Sequence, residues 1–162
     1  MHRFVVEEIR VHALRNLRTQ PGMHGGMRVL VVDDEEGFCW TLTKILESLN
    51  YTVLSVQTSE QALGHLQRDQ QIGLALMDLR LSNVEGAGDL SLLKRMRTLR
   101  PHMPVIVMSA FGTPELKREA RGLGALAFLD KPFRVEKLLR LMREAVREPM
   151  VLNRGSHEFA SQ

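Results

Sequence analysis

Polar residues that could do chemistry follow four separate apolar runs of the sequence. Asp33 and Asp34 follow the first of these runs, Asp78 and Ser109 follow two later ones, and Lys131 comes just after the last. If the runs are parallel strands, their carboxyl ends meet at the edge where open sheets bind ligands. One polar residue after a strand is common, but carboxylates, a hydroxyl and an amine from four strands indicate a functional site.

These residue types favour phosphoryl chemistry. Three carboxylates placed together repel one another, and oxygen ligands without cysteine or histidine favour a hard cation such as Mg²⁺. A carboxylate can also act as the nucleophile and form an aspartyl phosphate. Because phosphoryl transfer depends mainly on positioning and charge neutralisation, Lys131 and Ser109 are candidates for contacts to phosphate oxygens.

Two hydrophobic periods alternate along the middle of the chain and predict the fold class. Short continuous apolar runs are typical of strands buried on both faces. The predicted strands cover residues 29–32, 51–56, 74–77, 105–108 and 127–129, the second nearer an edge. Apolar residues at helical spacing lie near 38–49, 62–66, 92–99, 116–123 and 135–146. Ser59 and Thr113 are predicted helix starts, and right-handed crossovers predict a parallel sheet covered on both faces.

Composition excludes several classes of protein. The 162 residues are 44% hydrophobic and 25% charged, as in a globular domain. Cys39 is the single cysteine, so an intramolecular disulfide or a cysteine zinc cluster is excluded. Without a long apolar stretch or a signal-like N-terminus, we expect a cytoplasmic protein that does not bind membranes.

The net charge of +3 is not concentrated in the central domain, where residues 28–148 hold 17 basic and 16 acidic residues. The best candidate for a nucleic-acid surface is the basic cluster, Lys94, Arg95, Arg97 and Arg100. A solvated helix face is the more favoured interpretation of it.

Three segments are expected along the chain. Residues 1–27 form an extension with a basic amphipathic helix and a glycine-rich linker, which could serve dimerisation or partner docking or be loosely held. Residues 28–148 form the domain. Residues 149–162 lack periodicity and are expected to be disordered or a cloning remnant. They are too few for a DNA-binding module, so we expect no direct contact with nucleic acid.

Four motifs carry a family resemblance. They read VVDDE at 31–35, LMDLRL at 76–81, VMSA at 107–110 and FLDKPF at 128–133. In order and approximate spacing they resemble the receiver domain of bacterial two-component response regulators. That family implies a flavodoxin-like, doubly wound α/β fold, with a five-stranded parallel sheet in the order 2-1-3-4-5 and five helices.

The resemblance also implies roles for individual residues. Asp78 corresponds to the phosphoacceptor, Asp33 and Asp34 to the acidic pair that serves Mg²⁺, and the carbonyl of Arg80 to a further metal ligand. Ser109 and Lys131 correspond to the hydroxyl and the lysine that contact the phosphoryl group. Ser109 and Phe128 correspond to the switch pair, and the Lys131-Pro132 bond is expected to be cis.

Departures from the family pattern lie after Asp78. Ser82 stands where the family usually has proline, and residues 85–89 make the loop about three residues longer than usual. The residues that carry the chemistry are unaffected.

The function implied is a phosphoacceptor, not a classical enzyme, that takes a phosphoryl group from a histidine kinase or phosphotransfer protein and changes its partner binding. A homodimer could form through the fourth helix, fifth strand and fifth helix. The alternatives are a receiver-fold scaffold that works unphosphorylated and, less favoured, an aspartyl phosphatase or kinase; neither a substrate-binding cap nor a nucleotide loop is evident.

Overall fold

The computed structural model describes residues 27–79 and 90–147. Strands and helices alternate along this part of the chain. The strands are β1 (Arg28–Val32), β2 (Thr52–Val56), β3 (Ile72–Asp78), β4 (Val105–Ser109) and β5 (Ala127–Asp130). The helices are α1 (Glu36–Ser48), α2 (Ser59–Arg68), α3 (Ser91–Leu99), α4 (Pro114–Gly122) and α5 (Val135–Arg147). Every strand and helix predicted in this region is therefore present.

The five strands form one parallel sheet in the order β2-β1-β3-β4-β5. This confirms the doubly wound, flavodoxin-like topology and places β2 at an edge, as its less continuous apolar pattern predicted. The strand order reverses between β1 and β3, and such a switch point opens a crevice at the carboxyl ends of the strands. The predicted site residues lie at this carboxyl edge.

Two apolar layers cover the faces of the sheet. One includes Leu63 of α2 and Met96 of α3, and the other includes Leu46 of α1 and Leu138 of α5, all of them buried. Alternate residues of each strand point to opposite layers, so β1 contributes to both. This arrangement explains why the central strands read as continuous apolar runs.

Both predicted helix starts are confirmed. Helix α2 begins at Ser59, and Thr58 is its N-cap, because Thr58 and Gln61 form a reciprocal capping box. The prediction for α4 is confirmed, since the Thr113 hydroxyl accepts a hydrogen bond from the Leu116 amide and Pro114 begins the helix.

The basic cluster of α3 is divided between structural and exposed residues. Arg97 donates to the carbonyls of Pro101, Met103 and Gly124. Arg100 donates to main-chain carbonyls as well, those of Leu66, Asp69, Gln70 and Ile72. Two of the four cations therefore fasten α3 to neighbouring segments, which disfavours the nucleic-acid interpretation.

Several predicted features lie outside the described residues. These are residues 1–26 of the predicted extension 1–27, the tail 149–162, the Arg80 carbonyl, Ser82 and the long loop at 85–89. No helix within 27–79 or 90–147 is long and apolar enough to span a bilayer.

Candidate functional site

Three carboxylates converge at the carboxyl edge of the sheet. Asp33 follows β1 and is fully buried, Asp34 beside it is exposed, and Asp78 ends β3 and is buried. One carboxylate oxygen from each lies within 4.8 Å of the others. Strands β1 and β3 are neighbours in the sheet, so the parallel topology brings together residues that are 45 positions apart in sequence.

The Lys131 ammonium lies among these carboxylates. Its Nζ is 2.5 Å from Asp33 Oδ2 and 3.8 Å from Asp78 Oδ1, and its side chain is only 14% exposed. Opposite charges that are this close and this well buried attract each other more strongly than the charges of a surface ion pair. The lysine therefore offsets part of the repulsion between the two buried acids.

The backbone around the site is fixed by local hydrogen bonds. The Asp33 amide donates to the Val56 carbonyl, and Asp33 Oδ1 accepts from the Glu35 amide. At the other side of the crevice, the Lys131 amide donates to the Ser109 carbonyl at 2.8 Å. The Lys131-Pro132 bond is cis, which confirms the expectation for this turn.

Ser109 ends β4 and is buried. Strand β4 lies beside β3, the strand that ends in Asp78. Its hydroxyl oxygen accepts a hydrogen bond from the Phe111 amide at 3.1 Å. That contact shapes the loop between β4 and α4, in which the Phe111 side chain is exposed. Strands β3 and β4 are adjacent, with Asp78 in register with Met108, so Ser109 lies one residue beyond the level of Asp78.

Phe128 is half-buried, not fully enclosed in the core. Lys117 Nζ lies 5.6 Å from the centre of its ring and also forms a 2.6 Å ion pair with Asp130. A Cβ at Gly112 would lie 2.6 Å from the ring. The ring therefore lies in a gap lined by the β4–α4 loop and α4, partly open to solvent.

Two neighbours of the site did not emerge from the sequence. The ring of Phe38 lies under the Lys131 ammonium, and Cys39 Sγ donates to the Asp33 carbonyl at 3.2 Å. Burial raises the pKa of the Cys39 thiol, so it is neutral at physiological pH. Both residues belong to the first turns of α1. The sequence predicts Phe38 only as part of the apolar stripe of this helix, and it identifies Cys39 only as a cysteine without a disulfide partner.

The donor set fits a small divalent cation. Three carboxylates supply oxygen ligands only, which hard ions such as Mg²⁺ prefer, and the exposure of Asp34 leaves room for water ligands. Asp33, Asp34 and Asp78 are the described residues that would hold the ion.

The chain is similar to a known family over most of its length. The family described as "Response regulator receiver domain" matches residues 29–143, which include the acidic cluster, Ser109 and Lys131. The chain belongs to this receiver family. Its members are signalling modules of response regulators, and they bind Mg²⁺ at the acidic site.

Solved receiver domains share the fold. A CheY-like receiver domain from Methanospirillum hungatei JF-1 is 28% identical with a TM-score of 0.69, covering 76% of this chain and 95% of that one. A response regulator from Burkholderia pseudomallei, solved with a phosphorylated aspartic acid and a calcium ion, is 28% identical with a TM-score of 0.64. That comparison covers 78% of this chain and 77% of the other.

A curated relative is longer than this receiver. The transcriptional regulatory protein ZraR of Escherichia coli K12 is 32% identical over 123 residues, or 76% of this chain and 27% of ZraR. The receiver therefore spans about a quarter of the length of that relative.

Proposed function

We propose that this receiver accepts a phosphoryl group on Asp78 from a histidine kinase or a phosphotransfer protein. The observation that carries the proposal is the Lys131 ammonium held between Asp33 and Asp78 in a buried crevice. The Burkholderia pseudomallei neighbour, which carries a phosphorylated aspartic acid, supports this assignment. Phosphoryl transfer needs positioned charge, and this edge of the sheet supplies it.

In the proposed step, an Asp78 carboxylate oxygen attacks the phosphorus of a phosphohistidine. The new O–P bond forms as the P–N bond breaks, and the imidazole leaves with the bonding electron pair and takes up a proton. Lys131 stabilises negative charge on the phosphoryl oxygens, and the Ser109 hydroxyl donates to one of them. Asp33 and Asp34 would hold Mg²⁺, which supplies further charge neutralisation, with the Arg80 carbonyl as a further proposed ligand.

A phosphoryl group on Asp78 would also bias Phe128. Ser109 donating to the phosphoryl group changes the loop that begins at Ser109 and ends against the Phe128 ring at Gly112. The ring is half-buried, so a second, inward position is a packing change and not an unfolding event. We propose that this alters the face formed by α4, β5 and α5, where a partner or a second copy would bind.

The proposal predicts a labile acyl phosphate on the wild-type protein. Incubation with phosphoramidate and Mg²⁺ should add one phosphoryl group, measured by intact mass, and Asp78→Asn should add none. The variant Ser109→Ala still has Asp78 as the phosphoacceptor, and we expect it to be phosphorylated more slowly than wild type. If the wild-type protein stays unmodified while still binding a partner, the unphosphorylated scaffold is the correct function.

The switch is tested separately by NMR with beryllofluoride as the phosphoryl mimic. We expect shifts of the Phe128 ring and of amides across α4 and α5. Identical spectra with and without the mimic would contradict the switch while leaving phosphorylation of Asp78 intact.

A further inference from the structure

The Lys131 ammonium contacts an aromatic ring in addition to the carboxylates. Its Nζ lies 4.0 Å from the centre of the Phe38 ring. An ammonium within about 6 Å of a ring centre is attracted by the negative face of the ring. Phe38 therefore supplies an attractive surface for a cation that also forms ion pairs with Asp33 and Asp78.

A second ring fixes the first. Phe133 lies edge-on to Phe38, with ring centres 6.1 Å apart and planes at 87°. Edge-to-face pairs of this kind are favourable and restrict the tilt of both rings. Phe38 and Phe133 both pack against the apolar layer between the sheet and the helices α1 and α5, which further restrains the Phe38 ring.

The lysine needs such restraint, because its four-carbon stem is flexible and its charge is a compact point. The carboxylates hold it unequally, at 2.5 Å for Asp33 and 3.8 Å for Asp78. An incoming phosphoryl group on Asp78 must draw the ammonium toward the longer of these two contacts. The Phe38 ring attracts the ammonium whether it lies nearer Asp33 or nearer Asp78. Because the ring is uncharged, it does not compete with the phosphoryl group for the ammonium.

We propose that Phe38 is a positioning residue for the phosphorylation of Asp78, acting through Lys131. It touches no reacting atom and orders the cation that does. This inference rests on the proposed function, because a positioned lysine matters only if a phosphoryl group arrives at Asp78.

Three variants test the role of Phe38. Phe38→Leu removes the ring face, Phe38→Tyr keeps it, and Ile45→Ala removes half-buried apolar contacts from the same helix and the same apolar layer. The first measurement is the proton shift of the Lys131 ε-methylene, which a ring this close moves upfield. The second is the rate of phosphorylation by phosphoramidate at saturating Mg²⁺, with thermal unfolding recorded to compare stability.

We expect Phe38→Leu to lose the upfield shift and to phosphorylate about five-fold more slowly, the order expected for one cation–π contact. Phe38→Tyr should keep both properties near the wild-type values. Ile45→Ala should lose stability and keep both properties, which separates positioning from simple packing.

Failure of this role can be told apart from failure of the proposed function. If wild type is phosphorylated and Phe38→Leu reacts equally fast, or if the wild-type protein shows no upfield shift, only the positioning role is wrong. If Ile45→Ala slows the reaction as much as Phe38→Leu does, packing explains the effect and the role is again wrong. If wild type takes up no phosphoryl group, the proposed function fails and the role fails with it.

Discussion

The two ends of the sheet both bring cations and carboxylates together, yet they do different things. At the amino ends of the strands, Arg28 pairs with Asp69, and Arg100 donates to four main-chain carbonyls around the start of β3. At the carboxyl ends, Lys131 faces the side chains of Asp33 and Asp78. Main-chain carbonyls accept from Arg100 at the amino end, whereas side-chain carboxylates are clustered around Lys131 at the carboxyl end.

A guanidinium and an ammonium suit these two tasks. Arginine has five donors in a rigid fork, so one Arg100 side chain can satisfy several carbonyls that end helices or begin strands. Burial lowers the pKa of the neighbouring Arg97 guanidinium, whose donors are likewise directed to carbonyls. Lysine is a mobile point charge, and a mobile charge among carboxylates can follow an incoming anion. Charge at the amino end is therefore used for folding, and charge at the carboxyl end is available for chemistry.

The largest effect on stability is expected at the amino end. Arg100→Met should lower the free energy of unfolding by about 2 kcal/mol, because several partly buried carbonyls lose a charged donor. Urea denaturation measures this change. Arg95→Met is the matched control on the exposed side of α3 and should change stability by no more than about 0.5 kcal/mol.

The same two variants also test the division between the ends. Both should be phosphorylated by phosphoramidate at the wild-type rate once folded. A large loss of phosphorylation in folded Arg100→Met would show that the amino end takes part in the chemistry. That result would contradict the division of roles between the two ends of the sheet.

The next effect is expected at the carboxyl end, on adding Mg²⁺. An ion that binds only the folded state at ten times its dissociation constant stabilises a protein by about 1.4 kcal/mol. We expect a rise of this order in wild type and none in the double variant Asp33→Asn, Asp34→Asn. Asp69→Asn, which removes a carboxylate at the amino end, should keep the full response to Mg²⁺. A double variant that still responds would place the metal elsewhere.

The smallest effect is a difference in alkaline stability between the ends. Burial raises the pKa of the Cys39 thiol at the carboxyl end and of the Tyr51 hydroxyl at the amino end. A raised pKa in the folded state favours its neutral form, so the unfolded state gains by ionising first. The contribution of each group to the free energy of unfolding is fully present below the pKa of that group in the unfolded state. It is lost as pH rises through the pKa of the group in the folded state.

Because unfolded cysteine ionises near pH 8.5 and tyrosine near about pH 10, the two losses should separate. Wild type should begin to lose stability above about pH 8.5, and Cys39→Ala should be flat until Tyr51 titrates at higher pH. The measurement is a series of thermal unfolding curves against pH. Parallel curves for wild type and Cys39→Ala would contradict the role of the thiol.

Much of the fold could be predicted because the two hydrophobic periods are distinct. Runs such as residues 105–108 are typical of strands buried on both faces, while the spacing from Val135 to Met142 covers one side of a helix. The carboxyl edge followed from topology, since parallel strands end together and so place Asp33, Asp78 and Lys131 near one another.

The rest was not visible in the sequence for physical reasons. The contacts of Arg97 and Arg100 are with main-chain carbonyls, which every residue carries and which leave no sequence signal. Phe38 lies in an apolar stripe, and only the folded structure shows that the Phe38 ring faces the Lys131 ammonium.

The most direct test of the account is the position of the phosphoryl group. The protein is phosphorylated with phosphoramidate and Mg²⁺, the acyl phosphate is reduced with borohydride, and the residue converted to homoserine is located by peptide mass spectrometry. We expect conversion at Asp78, with none at Asp33 or Asp34. Conversion at either of the acids after β1, or equal conversion in Asp78→Asn, would contradict it.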